Sequence, residues 1–459
     1  MKLPFGMAAY RRTDSHLPEI VCKNQFVERA PANLEGELAL LARPGLTLSY
    51  TLGTGPIRAL YRADGVFGGD ILAVSGTGLY RGQTLVGTIA GTDRVDVDGF
   101  SPDADTSTAY IAAGATFYST DGTTVSTVTF PDNAPVVSVA VVSDITVAVR
   151  GDTGVMYFLL PGLTVWDGLN FFSAEQQADP VIAVRKVGDE LWAFGTQTVQ
   201  PFNTTGDNAA PFTPIIGRDF QKGCRSRDTI ALLDNTAFWV GSDGAVYRAG
   251  GASPERVSDN GIEERIGKVP ASDLRAWYYP WNGHSFYCLT IGDEGTFVFD
   301  VETAQWHEAA SYGYLFWRAH LGVVDNLTVY VGDAIDGKIG VLDGESVTDY
   351  GQPVERRFTS GIVVPGPIPC DAVELDAVAG FADGDPVIEM RKSDDWGNTW
   401  SSWRSAGLGS LGQYRKRVIW RRNGMIDRAR VFDFRLTDAA PWRLSAVRMN
   451  ESNAGSRGR

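Results

Sequence analysis

The sequence predicts an all-β protein: a β-propeller of six or seven blades with an N-terminal arm and a smaller C-terminal β domain. Three observations carry this expectation. From about residue 50 to 350, short apolar runs alternate with Gly/Asp turns, as in "GGDILAVSGTGLYRG", "STAYIAAGATFYSTDGTTV" and "NTAFWVGSDGAVYRAGG", which is the pattern of antiparallel hairpins. Unit markers at Asp70, Thr108, Asp144, Asp189, Thr236, His284 and Leu327 are 38, 36, 45, 47, 48 and 43 residues apart, near the roughly 40 to 50 residues of a four-stranded blade. Helical periodicity is poor throughout. A pair of β-sandwiches or a β-solenoid would give similar hairpins, but closing the units into a ring also removes the sheet edges a long all-β chain must otherwise protect.

Taken in order, residues 1–50 form the arm, 51–350 the propeller and 351–459 the C-terminal β-rich domain. In the arm, "NLEGELALLARPG" predicts one short helix from Leu34 to Leu41, ended by Pro44 and Gly45. After Gly351 the Pro-rich "VVPGPIPC" forms a joint and the charge changes sign. Residues 351–459 hold 17 basic against 13 acidic residues, a balance of +4, whereas residues 1–350 hold 24 against 42, a balance of −18. Such asymmetry suggests modules with different neighbours. The net charge of −14 argues against a protein that grips nucleic acid over its whole surface.

Cys22, Cys224, Cys288 and Cys370 show no C-x-x-C spacing and read as buried free thiols. The opening "MKLPFGMAAYRRTD" lacks the roughly 7 to 15 apolar residues of a signal peptide. No run of about 18 apolar residues is present that would span a bilayer. The reading is a soluble protein folded in a reducing cytoplasm.

Few motifs point to chemistry. Ser393, Asp395, Gly397 and Trp400 match S-x-D-x-G-x-x-W, the Asp box of sialidases and other sugar-active propellers. Asp can accept hydrogen bonds from turn amides, Gly supplies positive φ and Trp packs beneath, so one box predicts a structural hairpin. A glycosidase would need a carboxylate pair defined by separation in space; a sugar-active propeller, glycosidase or glycan-binding module, is the competing function. "GLGSLG", Gly407 to Gly412, lacks the strand-turn-helix context of a phosphate cradle. His16, His284, His307 and His320 form no metal motif. Asp96, Asp98, Asp103 and Asp105 in "VDVDGFSPDADTS" could offer oxygen ligands, but without EF-hand spacing they read as a solvated acidic loop. No cofactor is expected. Arg415, Arg417, Arg421 and Arg422 lie in "YRKRVIWRRNGMIDRARVFDFRL", whose imperfect alternation is strand-like.

Three segments, "NQFVERAPANLEGELALLARPGL", "GDILAVSGTGLYRG…VGTIAGTDRVDVDG" and "KRVIWRRNGMIDRARVFDFRLTDAAPWRLSAVRMN", together resemble the packaged-DNA stabilisation proteins of short-tailed bacteriophages, also called tail nozzle or tail hub proteins. The resemblance spans most of the chain in the same order. It implies a virion protein, not an enzyme, made in the host cytoplasm and carrying no catalytic residues. It further implies a homohexameric ring beneath the portal and its adaptor ring that continues the DNA channel. Such a ring retains the genome, carries a needle or plug and supports tailspikes or fibres. On that footing Arg415, Arg417, Arg421 and Arg422 are expected to contact a protein neighbour in the tail, since Arg suits interfaces. Asp96, Asp98, Asp103 and Asp105 are expected to line an acidic lumen along which double-stranded DNA passes without specific contacts.

Overall fold

The structure, a computed structural model, describes residues 1–12, 19–29, 38–103, 106–175, 177–233, 235–250, 253–364 and 366–450. The chain divides into two compact units: Leu48–Gly292 with Arg318–Val341, and Met1–Thr47 with Asp293–Trp317 and Leu342–Arg459.

The larger unit carries the innermost strands of a seven-bladed propeller, which decides between the six and seven expected. Its innermost strands are Ile57–Tyr61, Asp96–Phe100, Val136–Val142, Val181–Val187, Ala231–Leu233, Leu274–Trp281 and Ala319–Asp325. Each opens an antiparallel meander, such as Val181–Val187, Glu190–Gly195, Val199–Thr204 and Phe212–Pro214 in blade 4. All seven repeat markers fall at the turn from first to second strand or at the first residue of the second strand. Hydrophobic periodicity thus located the blades because each hairpin turn recurs at the same place in the repeat.

Ring closure is made by residues far apart in the chain. The first blade's inner strand packs on Ala319–Asp325 and Thr328–Asp333 of the seventh. Leu52 N–H donates to the Gly337 carbonyl at 2.7 Å, and the Ser75 hydroxyl donates to the Leu52 carbonyl. The inner strands of blades 1, 3, 4 and 7 each break register near their first residues, at Ile57/Ala59, Val136/Ser138, Val181/Ala183 and Ala319/Leu321. Such a bulge increases local twist, and it sits where strands crowd about the centre.

Between blades the faces are apolar. Val142, Val147 and Val149 of blade 3 share a cluster with Val184, Leu191 and Ala193 of blade 4. Across the next junction the Phe194 ring lies 5.7 Å from that of Trp239, edge to face at 72°. Each such buried large side chain contributes about 1.5–3 kcal/mol through area removed from water. One α-helix, Asn260–Lys268, is present among the described residues; Asp259 caps it by accepting from Gly261 and Ile262 N–H. This helix was not expected from the sequence, although an Asp cap followed by Ile262 and Ile266 four apart carries its signal.

The smaller unit is a β-sandwich. One sheet runs Gln25–Arg29, Leu38–Ala42, Arg443–Met449, Ala372–Ala377 and Val418–Arg421, with Lys2–Leu3 also on Arg443–Met449. The other places Cys22–Lys23 beside Arg356–Thr359, Val431–Leu436, Val387–Ser393 and Arg404–Gly407. Leu40, Val373, Trp420 and Leu444 from the first sheet meet Phe358, Ile388, Phe432 and Phe434 from the second.

The helix expected from Leu34 to Leu41 is corrected: Leu38–Ala42 is a strand, paired antiparallel with Gln25–Arg29. Residues 34–37 lie outside the described residues. Leu and Ala favour helix locally, but a partner strand and a fully buried Leu40 outweigh a preference of tenths of a kcal/mol per residue. All four cysteines are free and buried.

Candidate functional site

A cluster of charged side chains sits at the propeller hub, where it ties blades across the centre. Asp96, on the inner strand of blade 2, accepts from the Ser138 hydroxyl (2.6 Å), from Val139 N–H (3.2 Å) and from Arg185 (2.7 Å). Ser138 belongs to blade 3 and Arg185 to blade 4. Burial works against the Asp96 charge, yet Arg185, Arg227 and the Ser138 hydroxyl together hold it below the usual carboxylate range. Asp98 accepts from Val141 N–H (2.8 Å) and from Gly99 N–H. There burial prevails, and its carboxyl is pushed up to about 6.

Two further arginines complete the tie. Arg94 donates to the carbonyls of Asp228 (3.0 Å) and Ala276 (3.1 Å), and Arg227 donates to those of Val137 and Arg94. The hub is therefore crossed by guanidinium groups bridging blades 2 to 6. The reading of residues 95–107 as a solvated loop is corrected for Asp96 and Asp98, which stand on a strand and are half-buried. Asp103 is exposed and accepts from Thr106 N–H at 2.8 Å; Asp105 lies outside the described residues. Sequence reading missed the arginines because each lies singly on or just before an inner strand, and only ring closure brings them together.

His320, on the seventh inner strand, is 5% exposed, and its Nε2 lies 2.7 Å from the Ile57 carbonyl. Burial, aided by Arg94 and Arg275, pushes its pKa down to about 3. The unfolded imidazole protonates near pH 6.5, so stability is fully present above that and is lost as pH falls toward 3. Asp98 acts oppositely between about pH 4 and 6, because the folded state there binds the extra proton. Urea midpoints measured from pH 7 to 4 should fall less steeply for His320→Asn, which keeps a donor for Ile57, than for the parent. Equal slopes would exclude His320 as a source of acid sensitivity.

On the sandwich, Val418–Arg421 is the last strand of its sheet. Val418 and Trp420 point into the core, while Arg417 and Arg421 are exposed. Arg417 is held by Glu374 (2.6 Å). Arg415, Arg421, Arg422 and Arg428 are exposed and make no ion pair among the described residues. The Arg421 carbonyl accepts from Arg404, and Arg422 N–H donates to the Asp371 carbonyl.

The Asp-box segment forms the hairpin between Val387–Ser393 and Arg404–Gly407. Asp395 Oδ1 accepts from the Ser393 hydroxyl (2.7 Å) and Thr399 N–H (2.8 Å), and Oδ2 from the Thr399 hydroxyl (2.6 Å). These bonds, the Thr399 hydroxyl first, hold its pKa down at about 2. Gly397 has φ 92°, open to glycine at no steric cost. Trp400 stacks on Arg391 at 4.5 Å, and Arg391 also faces Trp403 at 4.5 Å. Every group of the motif is thus engaged in the turn. Among the described residues no cluster of three or more His, Cys, Asp or Glu side chains could hold a metal ion, and no helix is long and apolar enough to cross a membrane.

A closed seven-bladed ring carried on one chain with a β-sandwich defines the class: a β-propeller protein with a β-sandwich. The particular family is shown by comparison with known ones. The bacteriophage P22 Gp10 β-propeller matches residues 6–347 and the Gp10 β-sandwich residues 366–452. The chain belongs to this family, that of a bacteriophage structural protein that stabilises packaged DNA. No curated relative matches. Solved structures that match include the computationally designed Ika8 protein, with 12% identity and TM-score 0.38, covering 66% of this chain and 100% of that one. Extracellular domains of a putative hybrid two-component system and of a putative one-component system from B. thetaiotaomicron each show 10% identity and TM-score 0.42. They cover 75% and 83% of this chain, which spans 45% and 48% of theirs.

Proposed function

We propose that this chain is a subunit of a bacteriophage tail whose copies close into a hexameric ring, the nozzle or hub, below the portal and its adaptor ring. The ring continues the DNA channel, retains the packaged genome, and carries a needle or plug with tailspikes or fibres around it. The observation that carries this reading is the family match to both the propeller and the sandwich in the same order. The hub adds a physical constraint: Arg94, Arg185 and Arg227 cross the propeller centre, so a duplex runs between copies and not through one propeller.

A wall rich in carboxylates lets the duplex slide, because phosphate binding would release counterions and hold it. Of the four aspartates first considered for that wall, Asp103 has the exposure the role requires; Asp96 is neutralised by Arg185 and Asp98 is held by backbone N–H groups. Retention then falls to a plug or constriction.

Image reconstruction of virions carrying an affinity label on this chain tests the reading. The label is expected in a sixfold ring at the level below the adaptor. Its absence from the virion, or another symmetry there, overturns the proposal. Turnover of aryl glycosides that disappears on mutating one acid pair would replace it with the sugar-active alternative.

A further inference from the structure

On one face of the propeller, the turns of blades 2 to 4 carry acidic residues and no basic ones. In an antiparallel meander, the turns joining first to second and third to fourth strands all emerge at the same end of a blade. In blades 2, 3 and 4 these include 121–124, 143–144, 160–170, 188–189 and 205–211, which hold Asp121, Asp144, Asp167, Asp189 and Asp207 and contain neither Lys nor Arg. All five aspartates are exposed. Among them stand Leu163, Val165 and Leu169, which are 49%, 76% and 83% exposed.

The sandwich presents the complement. Arg415, Arg421, Arg422 and Arg428 border its last strand, exposed and with no ion pair among the described residues. Beside Arg415, Tyr414 lies 4.9 Å, ring to ring, from Phe381, and both are more than half exposed. Unpaired Arg with exposed aromatics is the composition of a protein interface.

We propose that the Arg-rich edge of the sandwich docks on the acidic face of blades 2 to 4 of a second copy of this chain. The charges match in sign and each patch carries exposed apolar side chains to be covered. Both patches are open to solvent on the single chain. Two different patches meeting head to tail leave one of each free on every added copy, so the contact propagates until the rotation closes it. This proposal rests on the ring reading above and assigns the surfaces that build it.

The test is reciprocal charge reversal, read by sedimentation of the full chain at low and high ionic strength. Arg421→Glu with Arg422→Glu, and separately Asp144→Lys with Asp189→Lys, should each weaken self-association at least about tenfold, because like charges then face each other. An equimolar mixture of the two variants should recover association, since one contact is then the charge-reversed pair and the other is the parental pair, each of opposite charges. High salt should weaken the parent. Urea midpoints equal to the parent confirm that each variant is folded.

The proposal is overturned if either variant associates like the parent, or if parent and mixture both remain monomeric at low salt. It is also overturned if the Arg variant loses only binding to duplex DNA. Virions that assemble normally with Arg421→Glu and Arg422→Glu would refute this interface and leave the tail assignment standing, whereas absence of the chain from virions would refute that assignment.

Discussion

Replacing Asp349 with alanine should destabilise the sandwich unit by about 3–5 kcal/mol, the cost of leaving a buried charge without its partner. Asp349 and Arg43 are each 1% exposed in their side chains. Arg43 donates to both Asp349 oxygens (3.0 and 2.7 Å), to Asn24 Oδ1 (2.8 Å) and to the carbonyls of Pro44 and Ala310. Its guanidinium also covers the Trp317 ring at 4.6 Å, and the Ser311 hydroxyl donates to Asp349 at 2.7 Å. Nearby Arg356 is 3% exposed, and burial, with Arg43 adding, pushes its pKa down to about 10. Asp349 is the carboxylate that offsets both cations, so its loss leaves two buried guanidinium groups facing each other.

The measurement is urea unfolding followed by tryptophan fluorescence, which Trp317 reports at the site. Arg43→Met combined with Asp349→Leu should cost less than Asp349→Ala, because an apolar pair removes the desolvation penalty along with the attraction. If Asp349→Ala shifts stability by under about 1 kcal/mol, the pair behaves as an exposed one and the argument fails.

Gly337→Ala should open the propeller where it closes. A methyl group at Gly337 would overlap the Leu52 carbonyl, a backbone atom with no rotamer to change. The strand ends must separate, which breaks the bond from Leu52 N–H to Gly337. Overpacking against backbone costs at least about 1–3 kcal/mol, and here the loss falls on the contact that joins the unit's first and last segments. Limited proteolysis should show faster cleavage near blades 1 and 7, with a lowered urea midpoint. Gly188→Ala is the control: nothing lies within 4 Å of its added methyl, although its φ of 61° adds local strain. Equal protease resistance of Gly337→Ala and the parent would contradict the closure argument.

Much of the fold was legible because propellers repeat. The turns near Asp144, Asp189, Thr236 and His284 recur with the hairpin period, and a period survives even where residues differ. Strand alternation likewise set Arg417, Ile419 and Arg421 against Val418, Trp420 and Arg422; it fails at Arg422, which is exposed and takes a φ of 60° just past the strand. Leu34 to Leu41 misled because Leu, Ala and Glu favour helix when read alone; Leu38–Ala42 is a strand only because Gln25–Arg29 lies beside it.

The charged sites divide in the same way. Ser393, Asp395, Gly397 and Thr399 act within one turn, so their hydrogen bonds follow from spacing alone. Asp96 and Arg185 are 89 residues apart, and Arg43 and Asp349 are 306 apart. The sequence by itself determined the all-β class, the repeat and the sign of charge in each region, because these depend on local pattern and composition. Only the tertiary structure decided that Asp96 is neutralised at a hub, that Arg43 is buried against Asp349 and that Arg421 stays exposed. Ring closure and sheet pairing choose each side chain's neighbours, and those neighbours fix whether a charge is clamped or available.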